Sequence, residues 1–386
     1  MKRRDFLIGS GSVLAGLPLL LHAPEIFATT GQSVSNRLVV IMLNGGLDGL
    51  SAVTPIGDPK LFDQRPDLIS HSNKEINPEF AITPALREFG GLLKSGKGSV
   101  IHACAFPYTK RSHFEGQNIV QTGSRTPFSM DTGWLGRALN QLGLSGRAIS
   151  LDLPLMVRGD PKSDTLYPAK IPGVNDKNIV DTGSLAAMLA EQESGDLATS
   201  LQKLSDSANR GLLDLRRDRA SLSYSIGQAM SQDDGPVASV VSVTGFDSHA
   251  SQGADRGIQD SHLSAVDEII AGYRKGLGSK WDQTLVLTVT EFGRTVKMNG
   301  SWGTDHGYGS AMFLAGGLVT GGQVVTDWPG LADKKLFEGR DLMATIDSRS
   351  VCCAALDTVF GIPHEVASKD IFVDSTIQNI KRYIPL

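Results

Sequence analysis

Short continuous apolar runs rich in β-branched residues recur along the chain, separated by longer segments with helical spacing. Arg37–Leu43 (RLVVIML) is the first, and Ser99–Cys104, Arg147–Leu151, Val237–Val243, Leu285–Val289, Ala311–Gly316 and Gln323–Thr326 follow. Runs of this length and composition predict buried parallel strands. Helical patterns cover Thr83–Ser95, with Pro84 suited to the first turn, then His113–Thr122, Gly133–Leu142, Gln259–Lys275 and Arg349–Phe360. Strands alternating with helices over this length predict an α/β fold whose mostly parallel central sheet is covered by helices on both faces. One stretch breaks the rhythm. Leu153 to about Gly183 is rich in Pro, Gly, Asp and Lys and reads as irregular and exposed, and Ser184–Met230 then reads as helical almost throughout. Together they predict an irregular and helical insertion over residues 153–235, within a single domain spanning 37–386.

The polar residues that follow the apolar runs carry the chemistry. Asn44 and Asp48 follow the first run; Arg111, Ser112 and His113 follow Ser99–Cys104; Asp247 and His249 follow Val237–Val243. Glu291 and Arg294 follow Leu285–Val289, with Asp305 and His306 beyond, between glycines. Carboxyl ends of parallel strands lie on one edge of a sheet, so these loops are expected to converge on one crevice. Carboxylates and imidazoles with few thiols suit a divalent metal, with zinc, manganese or a harder cation all compatible.

Each piece also has a purely structural use. Asp48 sits in a Gly-rich loop, where turns favour Asp. Asp247 and His249 have period-two spacing, which places both on one side of an extended segment, as ligands or as a hydrogen-bonded loop pair. Glu291 follows the mostly apolar run Leu285–Val289, so once buried it needs a cation, from Arg294, a metal or both. Ser112 is either an activated nucleophile beside His113 or the N-cap of the helix beginning there. His71, His102, His262 and His364 lie in polar loops, a strand or a helical face and read as structural.

The amino terminus adds a compartment. Arg3-Arg4-Asp5-Phe6-Leu7 precedes an apolar stretch, Ile8–Leu21, and Ala28 offers a small residue for cleavage. This predicts a Tat export signal over residues 1–28, followed by a polar, flexible lead-in over 29–36. The apolar stretch contains Pro18 and is well short of the roughly 20 residues that span a bilayer, so no stable membrane anchor is expected after cleavage. The protein is then expected in the periplasm or secreted, with the Tat translocase as a transient partner. Cleavage would take the formal charge from −4 to about −5. A mildly acidic chain without a basic cluster is not expected to bind nucleic acid. Cys104, Cys352 and Cys353 read as buried thiols, although an oxidising compartment would permit a bridge from Cys104.

Taken together, the RRDFL start and the segments LVVIMLNGGLDGLSAV, RSHFEGQ, GWLGRAL, GFDSHASQ and TEFGRTVKMNGSWGTDHGYGSAMFLAGG resemble the Tat-exported bacterial family called domain of unknown function 1501. That family is grouped with the alkaline phosphatase-like superfamily of phosphatases, nucleotide pyrophosphatases, phosphoglycerate mutases and sulfatases. The resemblance implies an alkaline phosphatase-like sheet holding one or two divalent ions (zinc, manganese, calcium or magnesium). It aligns Asp48 with an early ligand, Ser112 with the nucleophile, Asp247 and His249 with an Asp/His pair, Glu291 with the acidic residue after the next strand, and His306 with the last His. Asp305 is then a further ligand or the group that orients His306. Three departures stand out: Phe292 follows Glu291 where the template offers His, Asp247 and His249 are closer than the usual Asp-x-x-x-His, and the sulfatase Cys-x-Pro-x-Arg is absent around Ser112.

The expectation is an exported metal-dependent hydrolase of a phosphate or related ester, acting on a small-molecule or polymer substrate. Ser112 or a metal-bound water would attack, and Arg111 or Arg294 would stabilise charge on the transferring group. The alternative is a non-catalytic, metal-stabilised surface or polysaccharide-binding protein of the same fold.

Overall fold

The computed structural model describes residues 34–150, 152–166, 219–255 and 257–386. The predicted signal segment, most of the lead-in and residues 167–218 of the predicted insertion lie outside the described residues. The strands are β1 (Arg37–Asn44), β2 (Val53–Thr54), β3 (Lys74–Asn77), β4 (Phe80–Ile82), β5 (Gly98–Ala105), β6 (Gly146–Ile149), β7 (Asp164–Leu166), β8 (Ala238–Thr244), β9 (Thr284–Val289), β10 (Ser310–Ala315), β11 (Val324–Val325) and β12 (Ile346–Asp347). The helices used below are α1 (Gly49–Ala52), α2 (Arg87–Lys94), α3 (His113–Thr122), α4 (Trp134–Leu142), α5 (Arg219–Ser231), α6 (Ile258–Leu277) and α7 (Ser348–Phe360).

The main sheet runs in the order β11, β5, β10, β9, β1, β8, β6, β7, and β12 adds to β5. Its strands read as continuous apolar runs because both faces are covered. In β1, Leu38, Val40 and Met42 pack on one face against α3, α4 and α7, through Ile119, Leu135 and Leu356 among others. Val39, Ile41 and Leu43 point the other way, to α5 and α6, through Ile226 and Ile269. Period-two alternation on a strand buried on both sides produces this two-layer core. The fold is mixed α/β with a mostly parallel sheet. Among the described residues, no helix is long and apolar enough to cross a membrane.

The register explains where the site forms. β1 pairs in parallel with β8 and with β9, so the three carboxyl ends share one edge. β10 pairs antiparallel with both β9 and β5, which leaves β5 pointing the same way as β1. The loops after β1, β5, β8 and β9 therefore open on the same edge. Because β10 is reversed, its amino end lies there too, and that reversal returns residues 305–309 to the loops that precede them.

Some elements depart from the sequence reading. The stretch read as irregular after Leu153 contains β7, which adds a parallel edge strand to β6. Residues between the first two predicted strands form a separate small antiparallel sheet, β2–β4–β3. Its strands are two to four residues long, too short to display a period. The helix expected over Thr83–Ser95 begins only at Arg87, since residues 83–86 form a turn in which the Leu86 N–H donates to the Thr83 carbonyl at 3.2 Å.

His102, read as structural, is fully buried on β5 between the rings of Phe80 and Trp328. Its Nε2–H donates to the Val53 carbonyl at 2.9 Å, and its Nδ1 accepts from the Ala103 N–H at 2.7 Å. Burial pushes its pKa down to about 4, outweighing the hydrogen bond to Val53. An unfolded His titrates near 6.5. Between about 4 and 6.5 the unfolded chain thus binds a proton that the folded chain refuses. Stability from this residue is complete above that window and falls as pH drops through it. Denaturant unfolding from pH 7 to 4.5 should show a shallower pH slope for His102→Gln than for the unaltered protein; equal slopes would refute the assignment.

Candidate metal centre

Arg294 organises the sheet edge. Its side chain is fully buried, and its Nη1 donates to Asp247 Oδ1 at 2.8 Å and to the Gly45 carbonyl at 3.2 Å. Nε donates to Thr304 Oγ1 at 3.1 Å, and Nη2 donates to the Thr304 carbonyl. One guanidinium thus ties together the loops after β1, β8 and β9 and the approach to β10. Backbone bonds tighten the same junction: the Gly293 N–H donates to the Tyr308 carbonyl and the Gly307 N–H to the Gly293 carbonyl, both at 2.8 Å. Gly45, at φ +120°, has no room for a side chain, because a Cβ there would lie 2.3 Å from the Asp247 backbone nitrogen.

Three imidazoles meet over the Asp247 carboxylate. His306 Nε2 and His249 Nε2 each lie 3.0 Å from Asp247 Oδ1 and 3.0 Å from one another. His113 Nε2 lies 3.3 Å from Asp247 Oδ2 and is buried without a hydrogen-bond partner. Ligand atoms of His113, Asp247 and His306 all fall within 4.8 Å of one another. Behind each ring, Nδ1 meets an oxygen: Glu291 Oε1 at 2.8 Å for His113, Asp305 Oδ1 at 3.0 Å for His249, and the Arg111 carbonyl at 2.8 Å for His306. Carbonyl and carboxylate oxygens only accept, so each Nδ1 carries a proton; a neutral ring then keeps its lone pair on Nε2, and a protonated one donates from Nε2 towards Asp247.

That convergence suits a cation. With neutral rings, lone pairs on two nitrogens face one another and a carboxylate oxygen at hydrogen-bond distance. With every ring protonated, the two facing Nε2–H groups would collide. A metal ion held by His113, Asp247 and His306, with His249 beside them, would relieve this crowding, and an Nδ1–H held by an oxygen is the arrangement that orients ligating histidines. The groups remain reachable, since Asp247 and His249 keep 41% and 46% of their side chains exposed.

The same contacts set the local charges, and they act differently on the rings. Burial raises the Asp247 pKa, but the Arg294 hydrogen bond and charge, with His113 and His249, hold it below the usual carboxylate value. The hydrogen bond to Glu291 raises the pKa of His113 against the opposing effect of burial. Burial lowers that of His306, only partly offset by its bond to the Arg111 carbonyl. Asp305 is held low by its hydrogen bond from Asn299 first, and then by His249.

The structure brings Asp247, His249 and His306 together and places the other expected residues differently. Asp48 is not in the cluster. It caps α1 by accepting from Leu50 N at 3.1 Å, pairs through both oxygens with buried Arg65, and accepts from Gln252 Nε2 at 2.6 Å. Its oxygens are saturated, which explains a carboxylate buried in a Gly-rich loop. Glu291 also stands back: Oε1 accepts from Gly45 N at 2.7 Å, His113 Nδ1, and Gln117 Nε2 at 3.2 Å. It positions His113. Asp305 orients His249 rather than His306.

Both arginines expected at a transferring group are already committed to protein carboxylates. Arg294 holds Asp247, while Arg111 reaches buried Asp341 at 2.6 Å and also Glu338. The backbone of Arg111 matters more than its charge. At φ +61° it takes a left-handed turn, and its carbonyl receives His306 Nδ1–H. Ser112 occupies the N-cap position of α3, yet its side chain makes no capping bond. Its N–H donates to the Tyr108 hydroxyl at 3.1 Å, and its own hydroxyl sits beside the same phenol. Phe292 is buried against His113 and His306, with ring centroids 4.9 and 5.0 Å away.

Sequence reasoning placed His113 beside Ser112 and gave it no ligand role. A usable signal was there: His113 and Gln117 are four apart on a helix, hence on one face, and both reach Glu291. Asn299, which donates to both Asp305 and the His249 carbonyl, was missed as well. Arg65 had no signal, because it comes from a segment without periodicity.

The family model described as protein of unknown function, DUF1501, matches residues 89–366. The chain belongs to this family. No curated protein matches it. Among solved structures it is similar to i-CgsB in complex with a neocarrahexaose, at 10% identity and TM-score 0.42, covering 84% of this chain and 72% of that one. It is also similar to the C-terminal periplasmic domain of EptC from Escherichia coli in complex with zinc, at 9% identity and TM-score 0.38, covering 74% of each chain. A third is the PsFucS1 sulfatase from Pseudoalteromonas sp., at 13% identity and TM-score 0.38, covering 90% of this chain and 75% of that one. The DUF1501 assignment rests on the family match.

The buried Asp48–Arg65 pair gives a stability test. Arg65→Met leaves an uncompensated buried carboxylate and should cost about 3–5 kcal/mol, most of it recovered in the Asp48→Leu/Arg65→Met double variant. The pKa of Asp48 is lowered: burial raises it, and Arg65 more than offsets that. Its contribution is therefore present above the unfolded carboxylate pKa and lost as pH falls through the folded one. Denaturant unfolding at neutral pH and at pH 3 checks both statements.

Proposed function

We propose that the DUF1501 chain binds a divalent cation through His113, Asp247, His249 and His306 and hydrolyses a phosphate or related ester at that edge, after export by the Tat route. The observation that supports it most is the convergence of three Nε2 atoms on one carboxylate, each ring fixed from behind by an oxygen on its Nδ1. A bound cation would act as a Lewis acid on the ester oxygens. The chain's own residues supply the rest. Glu291, Asp305 and the Arg111 carbonyl hold the rings in register, and Arg294 keeps Asp247 ionised and aimed outwards. Ser112, at the amino end of the ten-residue α3, presents a hydroxyl that helix capping does not consume. Donors at that helix start favour an anionic group beside it. Zinc suits the imidazole-rich set best, with manganese and harder ions less favoured.

A second reading has its own support. Both guanidiniums expected at the transferring group are occupied, and Trp302, 66% exposed, lies on a loop that bridges to Ala250 beside His249. A ring there suits stacking on a sugar more than it suits ester chemistry, which favours a non-catalytic polysaccharide binder stabilised by its metal.

Elemental analysis of purified protein should find about one divalent ion per chain. It should be lost in His306→Ala and in Asp247→Asn, and chelation should lower the melting temperature. Protein without stoichiometric metal, and with a melting temperature indifferent to chelator, would falsify the metal reading. A panel of phosphate and sulfate esters, assayed with zinc, manganese, calcium and magnesium, then separates enzyme from binder. Turnover at least a hundredfold lower in Ser112→Ala is expected for a nucleophile; equal rates would remove Ser112 from that role.

A further inference from the structure

A second concavity lies apart from the histidine cluster, between α2 and the small sheet, with a volume of about 420 Å³. That is within the range of small-ligand sites. Its floor is aliphatic, formed by Ile76, Ile82, Leu86 and Leu93. Among the described residues no aromatic ring lines it, so they offer no stacking partner for a sugar or a base. Along its wall, Gly90 and Gly91 leave the surface of α2 bare, and a Cβ added at either would meet nothing within 4 Å. Two consecutive glycines in a helix interior are unfavourable for the helix, and here they open space against its backbone.

The rim is cationic. Lys74, Arg87 and Lys94 line the opening, all exposed, and none has a carboxylate partner among the described residues. Glu88 on the same helix is turned away to Arg274. Against these three cations stands one carboxylate in the lining, Glu75. The chain as a whole is acidic, at −4, so this local excess of positive charge runs against its composition. An aliphatic floor, a bare helix wall and an unpaired cationic rim complement one kind of molecule: a flexible alkyl chain ending in an anion.

We infer that the cavity between α2 and the β2–β4–β3 sheet binds a medium-chain fatty carboxylate, the alkyl chain lying on Gly90 and Gly91 and the carboxylate at Lys74, Arg87 and Lys94. The site shares no residue with the histidine cluster, and the inference does not depend on ester hydrolysis.

Isothermal titration of the full chain with decanoate tests it, with 1-decanol and acetate as the neutral-headgroup and chainless controls. Decanoate should bind saturably at one site, at least tenfold tighter than decanol, and acetate should not bind. Arg87→Glu should weaken decanoate at least tenfold. Gly91→Leu, which fills the cavity and improves helix propensity, should abolish binding without lowering the melting temperature. A loss of melting temperature in Gly91→Leu would leave Arg87→Glu, with decanol, as the deciding comparison. The inference is overturned if decanoate does not saturate, if decanol binds equally, or if the folded variants bind like the parent. It is equally overturned if the face is covered by a second copy, seen as a dimer by sedimentation that Gly91→Leu dissolves.

Discussion

A single buried guanidinium holds the sheet edge together. Arg294 has no exposed side-chain surface, so its charge and donors must be met from within, and they are met by Asp247, Gly45 and Thr304. Thr304 passes the constraint on, donating to Gln252 Oε1 at 2.6 Å, and Gln252 in turn donates to Asp48. A continuous chain of hydrogen bonds thus links the ion pair at α1 to the carboxylate at the centre of the histidines. Asp48, Arg65, Gln252, Thr304 and Arg294 are all buried, and in a low-dielectric interior each is costly to leave unpaired.

On this frame, the histidines are held by what lies behind them. Each Nδ1 is engaged by an oxygen from a different element: Glu291 after β9, Asp305 before β10, and the left-handed backbone at Arg111 before α3. The rings cannot rotate without losing that bond, so their Nε2 atoms remain aimed at one point. Two carboxylates expected as ligands, Glu291 and Asp305, serve as these anchors. The small sheet and α2 form a separate feature, defined by Gly90 and Gly91 and by cations that lack carboxylate partners among the described residues, rather than by a polar network.

Much of this was legible in the residues. The apolar runs at Arg37–Leu43, Val237–Val243 and Leu285–Val289 marked the three central strands, and the spacing from His113 to Thr122 marked α3 within a residue. The convergence of the following loops on one edge came from the parallel-sheet rule. Strands of two or three residues were illegible, because period two needs several repeats to show. The reversal of β10 was illegible too, since an apolar run carries no sign of its direction.

What the sequence alone determined is therefore local: which segments are strands and helices, and which polar residues are delivered to the edge. Only the tertiary structure decided what each carboxylate does there. Asp48, Asp247 and Glu291 all follow buried strands and look alike in the chain. They differ because Arg65 reaches the first, Arg294 and three imidazoles surround the second, and His113 and Gly45 engage the third. Those partners come from segments that folding brings together, and the protonation and hydrogen bonding of a carboxylate depend on what lies within a few ångströms of it, not on its neighbours in sequence.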